Sequence, residues 1–501
     1  MRSEVAANGE ATGLLGHLRV LDWTSSTAAY CAKLFADLGA EVIRVEAPSG
    51  AGTCPGHTAD SARRRSTFFT DLYANANKSI VVLDLERASD RKRFKALATA
   101  SDLLLEDQPV GLPARLGLAH GDLVGDHPGL VTTSITGFGQ SGPWCRFRSN
   151  DLVASALGGA MISIGDPSDP PVRMAGHQAD ITTATLAAAS SLVALWSRDR
   201  SGRGQHVDIS SLEAVAAATH ICGVGKWLED GIIPRRIGTG LVAAIPSGAY
   251  RCEDGLVYLI VNRPGHWEAL AAWIHERTDN EEVLSEAFRG PSSVRLPYRE
   301  LLDVFIGDLM RLMTVEEAYH EAQRRHIAVT PVQTATMVAS DRHLRERNFF
   351  VDYVLSSGNP TESGSSLRGP GAPYRPSRTP IRRERRAPRR LSDREESIIC
   401  SGRGRDVEKA DPIPAAGALD GLRIVEFGTG LAAPWIGRML AWAGADVIKV
   451  ESHAFPDVPR LFVSPREPGL GTQPQCSPWF TDWSAGKRFV ALDLRVAEGA
   501  E

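Results

Sequence analysis

The chain has 501 residues, of which 43% are hydrophobic and 23% charged, and its formal net charge is −4. That length and apolar content suit several packed domains, and the near-neutral balance argues against a general polyanion-binding surface, so no nucleic-acid partner is expected. The opening MRSEVAANGEATG lacks an apolar signal core, the apolar run at 186–196 is short for a bilayer and continues into Arg198 and Arg200, and the seven cysteines show no CxxC spacing. A reduced, soluble, cytoplasmic protein without membrane contact is expected.

Residues 1–14 are polar and are expected to be disordered. A β-α-β unit follows: a strand at 18–23, a helix at 28–38 stopped by Gly39, and a strand at 42–45. A strand at 80–85, a helix at 91–100, a strand at 101–106, a short helical stretch at 121–126 and a strand at 130–135 continue the alternation. Such alternation predicts an α/β fold with a Rossmann-like parallel sheet covered on both faces. The helix expected at 181–198 is apolar round most of its circumference, which predicts burial. A strand returns at 206–211, so 15–225 is read as one large domain.

Beyond 225 a loop-rich stretch leads to a strand at 256–261 and a helix at 267–274, predicting a smaller α+β domain over 226–325. Thr314 and Glu317 have the spacing of a capping box. Residues 326–380 are read as a return to the large domain. Residues 381–417 include RRERRAPRR and are expected to be a solvated Arg/Pro-rich linker.

The chain then begins again. LRVLDWTSSTAAYCAKLFADLGAEVIRVE at 18–46 is answered by LRIVEFGTGLAAPWIGRMLAWAGADVIKVE at 422–451, and KSIVVLDL at 78–85 by KRFVALDL at 487–494. A period this long excludes a solenoid and indicates duplication of a whole domain. Residues 418–501 are read as the truncated start of a second copy, either the beginning of a longer polypeptide or a vestige. They carry no counterpart of the residues at 180 and beyond.

An ordered set of segments resembles the family III CoA-transferases, the CaiB/BaiF group: the (R/K)VE strand end, Asn75-Ala76-Asn77-Lys78, Asp102 through Arg115-Leu116-Gly117-Leu118, SITGFGQSGP at 134–143, Asp180, RDRSGRGQHVDIS at 198–210, DGLVYL at 254–259 and TPV at 330–332. The resemblance implies that family's fold, no permanently bound cofactor, no metal, and a coenzyme A thioester as substrate beside a small carboxylic acid. It also implies an interlocked homodimer, which a tandem fusion would build within one polypeptide.

By resemblance Asp180 is the nucleophile, and Arg44, Asn75, Asn77, Lys78 and Arg115 are CoA contacts, with Gln140 on a glycine-rich loop able to position a carboxylate. From spacing alone, Asp180 stands equally where a helix N-cap belongs, and a helix N-terminus favours an ionised carboxylate. His177 reads as an ordinary polar loop residue. Two departures from the family pattern bear on activity. Glu106-Asp107-Gln108 replaces Glu-Asn-Phe, and Ser25-Ser26-Thr27-Ala28-Ala29-Tyr30 replaces the turn ending in Ala-Gly-Pro. They keep open a non-catalytic, CoA-binding scaffold. A racemase-like enzyme is the other alternative, but 147–151 offers no histidine to pair with Asp180. A nicotinamide-dependent oxidoreductase lacks its GxGxxG after the first strand.

Overall fold

The computed structural model describes residues 13–25, 28–48, 70–219, 244–355, 366–379, 385–401, 417–454, 456–461 and 477–500, with position 381 and parts of 227–241. It separates into two units, one of residues 1–158, 175–218 and 339–418, the other of 159–174, 219–338 and 419–501.

In the first unit, β1 (Arg19–Trp23), β2 (Glu41–Glu46), β3 (Ser79–Val82), β4 (Leu103–Glu106), β5 (Val131–Thr136) and β6 (His206–Ser210) lie in one parallel sheet in the order β3-β2-β1-β4-β5-β6. Neighbours in a strand point to opposite faces, so the unbroken apolar run of β1 serves two cores. Val20 faces a cluster with Ala32 and Phe35 of α1 (Ala29–Asp37) and with Ala184, Ala187 and Leu195 of a later helix. Leu21 faces the other cluster, with Phe94 and Leu97 of α2 (Ala88–Thr99). Burying each such side chain stabilises the unit by about 1.5–3 kcal/mol.

The remaining elements of this unit position the site. The short α3 (Asp151–Leu157) and the long α4 (Gln178–Ser201) lie between β5 and β6, and α5 (Ser211–Ala218) follows directly. By length and hydropathy α4 could cross a membrane. Here it packs against α1, α3, α5, β5 and β6, and Arg198 near its end is buried on Asp102 Oδ1 at 3.0 Å.

The second unit holds two sheets. β7 (Ser247–Arg251), β8 (Leu256–Ile260) and β9 (Ala328–Pro331) form an antiparallel sheet. Their core is shared with α6 (Pro264–Thr278), α7 (Arg299–Met310) and α8 (Val315–Arg324), and includes Trp267, Trp273, Leu302 and Ile306. Thr314 and Glu317 make the expected capping box at the start of α8. The smaller domain therefore extends past 325, because β9 completes its sheet, and the chain rejoins the first unit from 339.

The Arg-rich run departs from expectation. Over 385–401 it is folded, not a solvated linker. In the first unit β10 (Phe350–Val354) pairs antiparallel with β11 (Ser366–Pro370) and parallel with β12 (Arg385–Arg386), while β13 (Arg389–Arg390) adds a seventh strand beside β3. Arg385 is buried 2.9 Å from Asp37 Oδ1, Arg389 pairs with Glu395, and Glu396 of α9 (Asp393–Ser401) receives Arg93. Arg385 and Arg389 each have a carboxylate to meet, which composition alone does not reveal. Positions 382–384 and 402–416 of that segment lie outside the described residues.

In the C-terminal stretch, β14 (Arg423–Glu426), β15 (Asp446–Glu451) and β16 (Arg488–Ala491) make a parallel sheet with α10 (Ala432–Trp442) between the first two.

Candidate active site

Asp180 is the third residue of α4, not its N-cap. The chain enters the helix through Gly176 (φ 83°) and His177 (φ 55°, ψ 47°), and His177 holds the cap position. The cap's work is done from elsewhere in the sequence. Buried Asp151, the first residue of α3, accepts the N–H groups of Ala179 and Asp180 on Oδ1, at 2.9 and 3.2 Å. Asn150 caps α3 itself by accepting from Val153 N at 3.0 Å.

Asp180 Oδ2 is enclosed, and His177 Nδ1 lies 3.5 Å from it. Burial and then the Asp151 carboxylate push the Asp180 carboxyl up to about 6, with His177 opposing. This reverses the direction expected from a helix N-terminus, because the helix N–H groups point at Asp151 instead. Asp180 is still mostly ionised at neutral pH, as a carboxylate nucleophile requires. Asp151, His177 and Asp180 bring potential donor atoms within 4.8 Å of one another. They could hold a divalent cation only in competition with the N–H groups already on Asp151.

The loop after β5 closes at its own base. A Cβ on Gly137 would come within 2.2 Å of Ser149 Cβ, so only glycine allows that approach, two residues before Asp151. Gln140 N donates to both oxygens of Asp208, at 2.9 and 3.1 Å, and its Nε2 is buried without a hydrogen-bond partner among the described residues.

The expected CoA contacts fall into three groups. Arg44, Asn75 and Lys78 do come together, but in the interior around Asp22. Lys78 Nζ donates to Asp22 Oδ2 (2.8 Å), Asn75 Oδ1 (2.9 Å) and Ala29 O (3.0 Å), while Arg44 donates to Glu46 (3.1 Å) and Asn75 (3.1 Å). Burial draws Lys78 below the usual lysine range, and Asp22 opposes it. Asn77 is a turn residue with φ 64° that pairs with Arg386 through both its amide N–H and its Oδ1. Arg115 is exposed on Glu86 at 2.9 Å.

The replaced Asp107 also has a local partner. Its carboxylate accepts Ser25 N at 2.8 Å and the Ser25 hydroxyl, fixing the turn after β1, and burial pushes it up to about 6 despite those bonds. Ser26 and Thr27 lie outside the described residues. Sequence reasoning missed Asp151 and passed over His177. Only the three-residue spacing of His177 and Asp180 at a helix start could have signalled the latter.

The model of CoA-transferase family III matches residues 15–393 and 419–501. Over 376 residues the chain is 31% identical to the succinyl-CoA:(R)-benzylsuccinate CoA-transferase subunit BbsE of Thauera aromatica, covering 71% of this chain and 86% of that protein. A probable CoA-transferase of Mycobacterium tuberculosis is 30% identical over 435 residues, covering 85% of this chain and 52% of the relative. The crystal structure of a CaiB/BaiF family protein from Brucella suis superposes with a TM-score of 0.65 at 22% identity, over 78% of this chain and 99% of that one, which shows the shared fold. With a match over nearly its whole length, the chain belongs to CoA-transferase family III.

Proposed function

We propose that the protein moves coenzyme A from an acyl-CoA donor to a carboxylic acid acceptor, with Asp180 as the covalent carrier. The observation that carries this reading is a carboxylate held in the first turn of α4 with its neighbouring N–H groups already taken by Asp151. Asp180 is thereby left without the capping duty that would otherwise explain it. An Asp180 oxygen attacks the thioester carbonyl, the C–S bond breaks, and the CoA thiolate leaves an aspartyl mixed anhydride. The thiolate returns to the aspartyl carbonyl, releasing the donor acid and leaving an aspartyl-CoA thioester, which the acceptor carboxylate then attacks in reverse order. The Thauera relative, a succinyl-CoA:(R)-benzylsuccinate CoA-transferase subunit, makes succinyl-CoA the first donor to try.

The two matched stretches and the second β-α-β sheet support a tandem duplication, with an interlocked dimer or intramolecular pseudo-dimer as the assembly and the cytoplasm as location. Gln140 and Arg115 are the proposed ligand contacts, since each has a donor that could turn to a substrate. The test is intact mass and peptide mapping after incubation with succinyl-CoA and trapping by hydroxylamine or borohydride. A modification on the Asp180 peptide, absent from Asp180→Ala, is expected. Tight CoA binding with no adduct from any acyl-CoA would leave only a scaffold.

A further inference from the structure

We propose that His177 is the charge partner of Asp180, a positioning residue whose imidazolium holds the carboxylate in its ionised, attacking form. This rests on the reading of Asp180 as nucleophile. His177 Nδ1 is 3.5 Å from Asp180 Oδ2, an oxygen that is enclosed and receives no hydrogen bond from any other described residue. The imidazole reaches it from a left-handed backbone conformation that non-glycine residues seldom adopt, at the residue where the chain turns into α4. Among the described residues two charged groups act on Asp180: Asp151 of α3 repels its negative form, and His177 supplies positive charge against that repulsion and against burial.

The charge accounting through the reaction is simple. On acylation an Asp180 oxygen joins the acyl carbon, and the C–S electron pair leaves on sulfur. The proton stays on His177. The negative charge that faced the imidazolium passes to the thiolate, then to the donor acid released as the aspartyl-CoA thioester forms. It returns to Asp180 only in the last step, when CoA thiolate takes the acceptor's acyl group from the second mixed anhydride. His177 needs no proton transfer to do this.

Two measurements on the full chain test the pairing. In the first, histidine titration is followed by NMR in wild type and Asp180→Asn. Loss of the facing carboxylate is expected to move the His177 transition to lower pH. An unmoved transition overturns the proposal. In the second, single-turnover acylation by succinyl-CoA is compared at pH 5.5 and 8.5. His177→Ala is expected to lose several-fold more rate at pH 5.5, where Asp180 needs help to stay ionised, and His177→Lys to regain part of it. An equal loss at both pH values overturns the proposal, because a merely structural defect has no such pH dependence. If wild type forms no adduct at all, the transferase reading fails, and the NMR titration still decides whether His177 and Asp180 are paired.

Discussion

The two β-α-β starts of this chain keep the same buried charges in very different surroundings. In the first, Asp22 on β1 receives Lys78, which also donates to Ala29 O at the start of α1, and Arg44 on β2 lies alongside. In the second, Glu426 on β14 receives Lys487, which also donates to Pro434 O near the start of α10, and Lys449 on β15 completes the set. Aligning the two segments puts Asp22 on Glu426, Ala29 on Pro434, Arg44 on Lys449 and Lys78 on Lys487. Their apolar faces differ. Leu21 is 0% exposed and its counterpart Val425 53%, because β1 is central in its sheet while β14 is an edge among the described residues. The ionic cluster is thus built by the β-α-β unit alone, whereas the core needs β4, β5 and α4. The cluster recurs in both β-α-β starts, and in each the buried cations tie strand ends together through a buried acid.

The comparison breaks most directly at the acid. Asp22→Ala takes from buried Lys78 its carboxylate partner and is expected to cost the first unit about 3–5 kcal/mol, the usual result of stranding a buried charge. Glu426→Ala takes from Lys487 its carboxylate partner in the same way and leaves a second carboxylate only to Lys449, Asp457 at 2.9 Å, so a comparable cost is expected. Amide hydrogen exchange of β1 and β3 against β14 and β16 reads the two effects separately. Equal losses would mean that the β-α-β unit sets the strength of the cluster, and a much smaller loss from Glu426→Ala would mean that the surrounding sheet does.

Much of the first unit was legible because its strands are short apolar runs and several of its helices end at glycine. Gly39 (φ 98°) ends the first, and a Cβ there would meet Gly13. The Arg-rich run was not legible, since Asp37 and Glu396, which receive its neighbourhood's charges, act across some three hundred residues of chain. Asp180 was found as a residue and misplaced as a cap, because the true acceptor of the helix N–H groups, Asp151, lies on another helix. The pairing of Lys78 and Arg44 with buried Asp22 was hidden for a related reason. A cation after a parallel strand reads the same whether it faces a ligand groove or a buried acid.

The apolar difference gives the next contrast. Leu21→Ala opens a cavity between Trp23, Ile43 and Leu104 and is expected to cost about 2–5 kcal/mol. Val425→Ala, on an open edge, is expected to change stability by no more than about 0.5 kcal/mol. Denaturant unfolding of each variant checks this. A large loss from Val425→Ala would show that the edge of β14 is covered in solution.

A pH effect is expected in the first region, on β4. Burial pushes Glu106 up from 4.5 to about 7, against hydrogen bonds from Ser134 and Gln108. The folded state therefore holds this proton more tightly than the unfolded chain. Its contribution is complete below about pH 4.5 and is lost as pH rises through 7, amounting to ~3 kcal/mol relative to Glu106→Gln. Stability measured from pH 4.5 to 7.5 should fall more steeply in wild type than in that variant. Parallel curves would mean that the carboxyl is not buried as described.

The smallest structural effect is expected at Arg115, and that makes it the sharpest test of a ligand role. Its partner Glu86 is exposed, so the pair is screened by water and Arg115→Ala should leave the unfolding midpoint unchanged. Arg44 and Lys78 cannot be tested this way, because replacing either disturbs the Asp22 cluster along with any ligand contact. If Arg115 meets the phosphates of CoA, the variant should raise the KM for succinyl-CoA several-fold while kcat holds, the sign of lost uniform binding. If KM is also unchanged, the CoA contacts must lie elsewhere, and Gln140, with its buried and unpartnered Nε2, becomes the next residue to substitute.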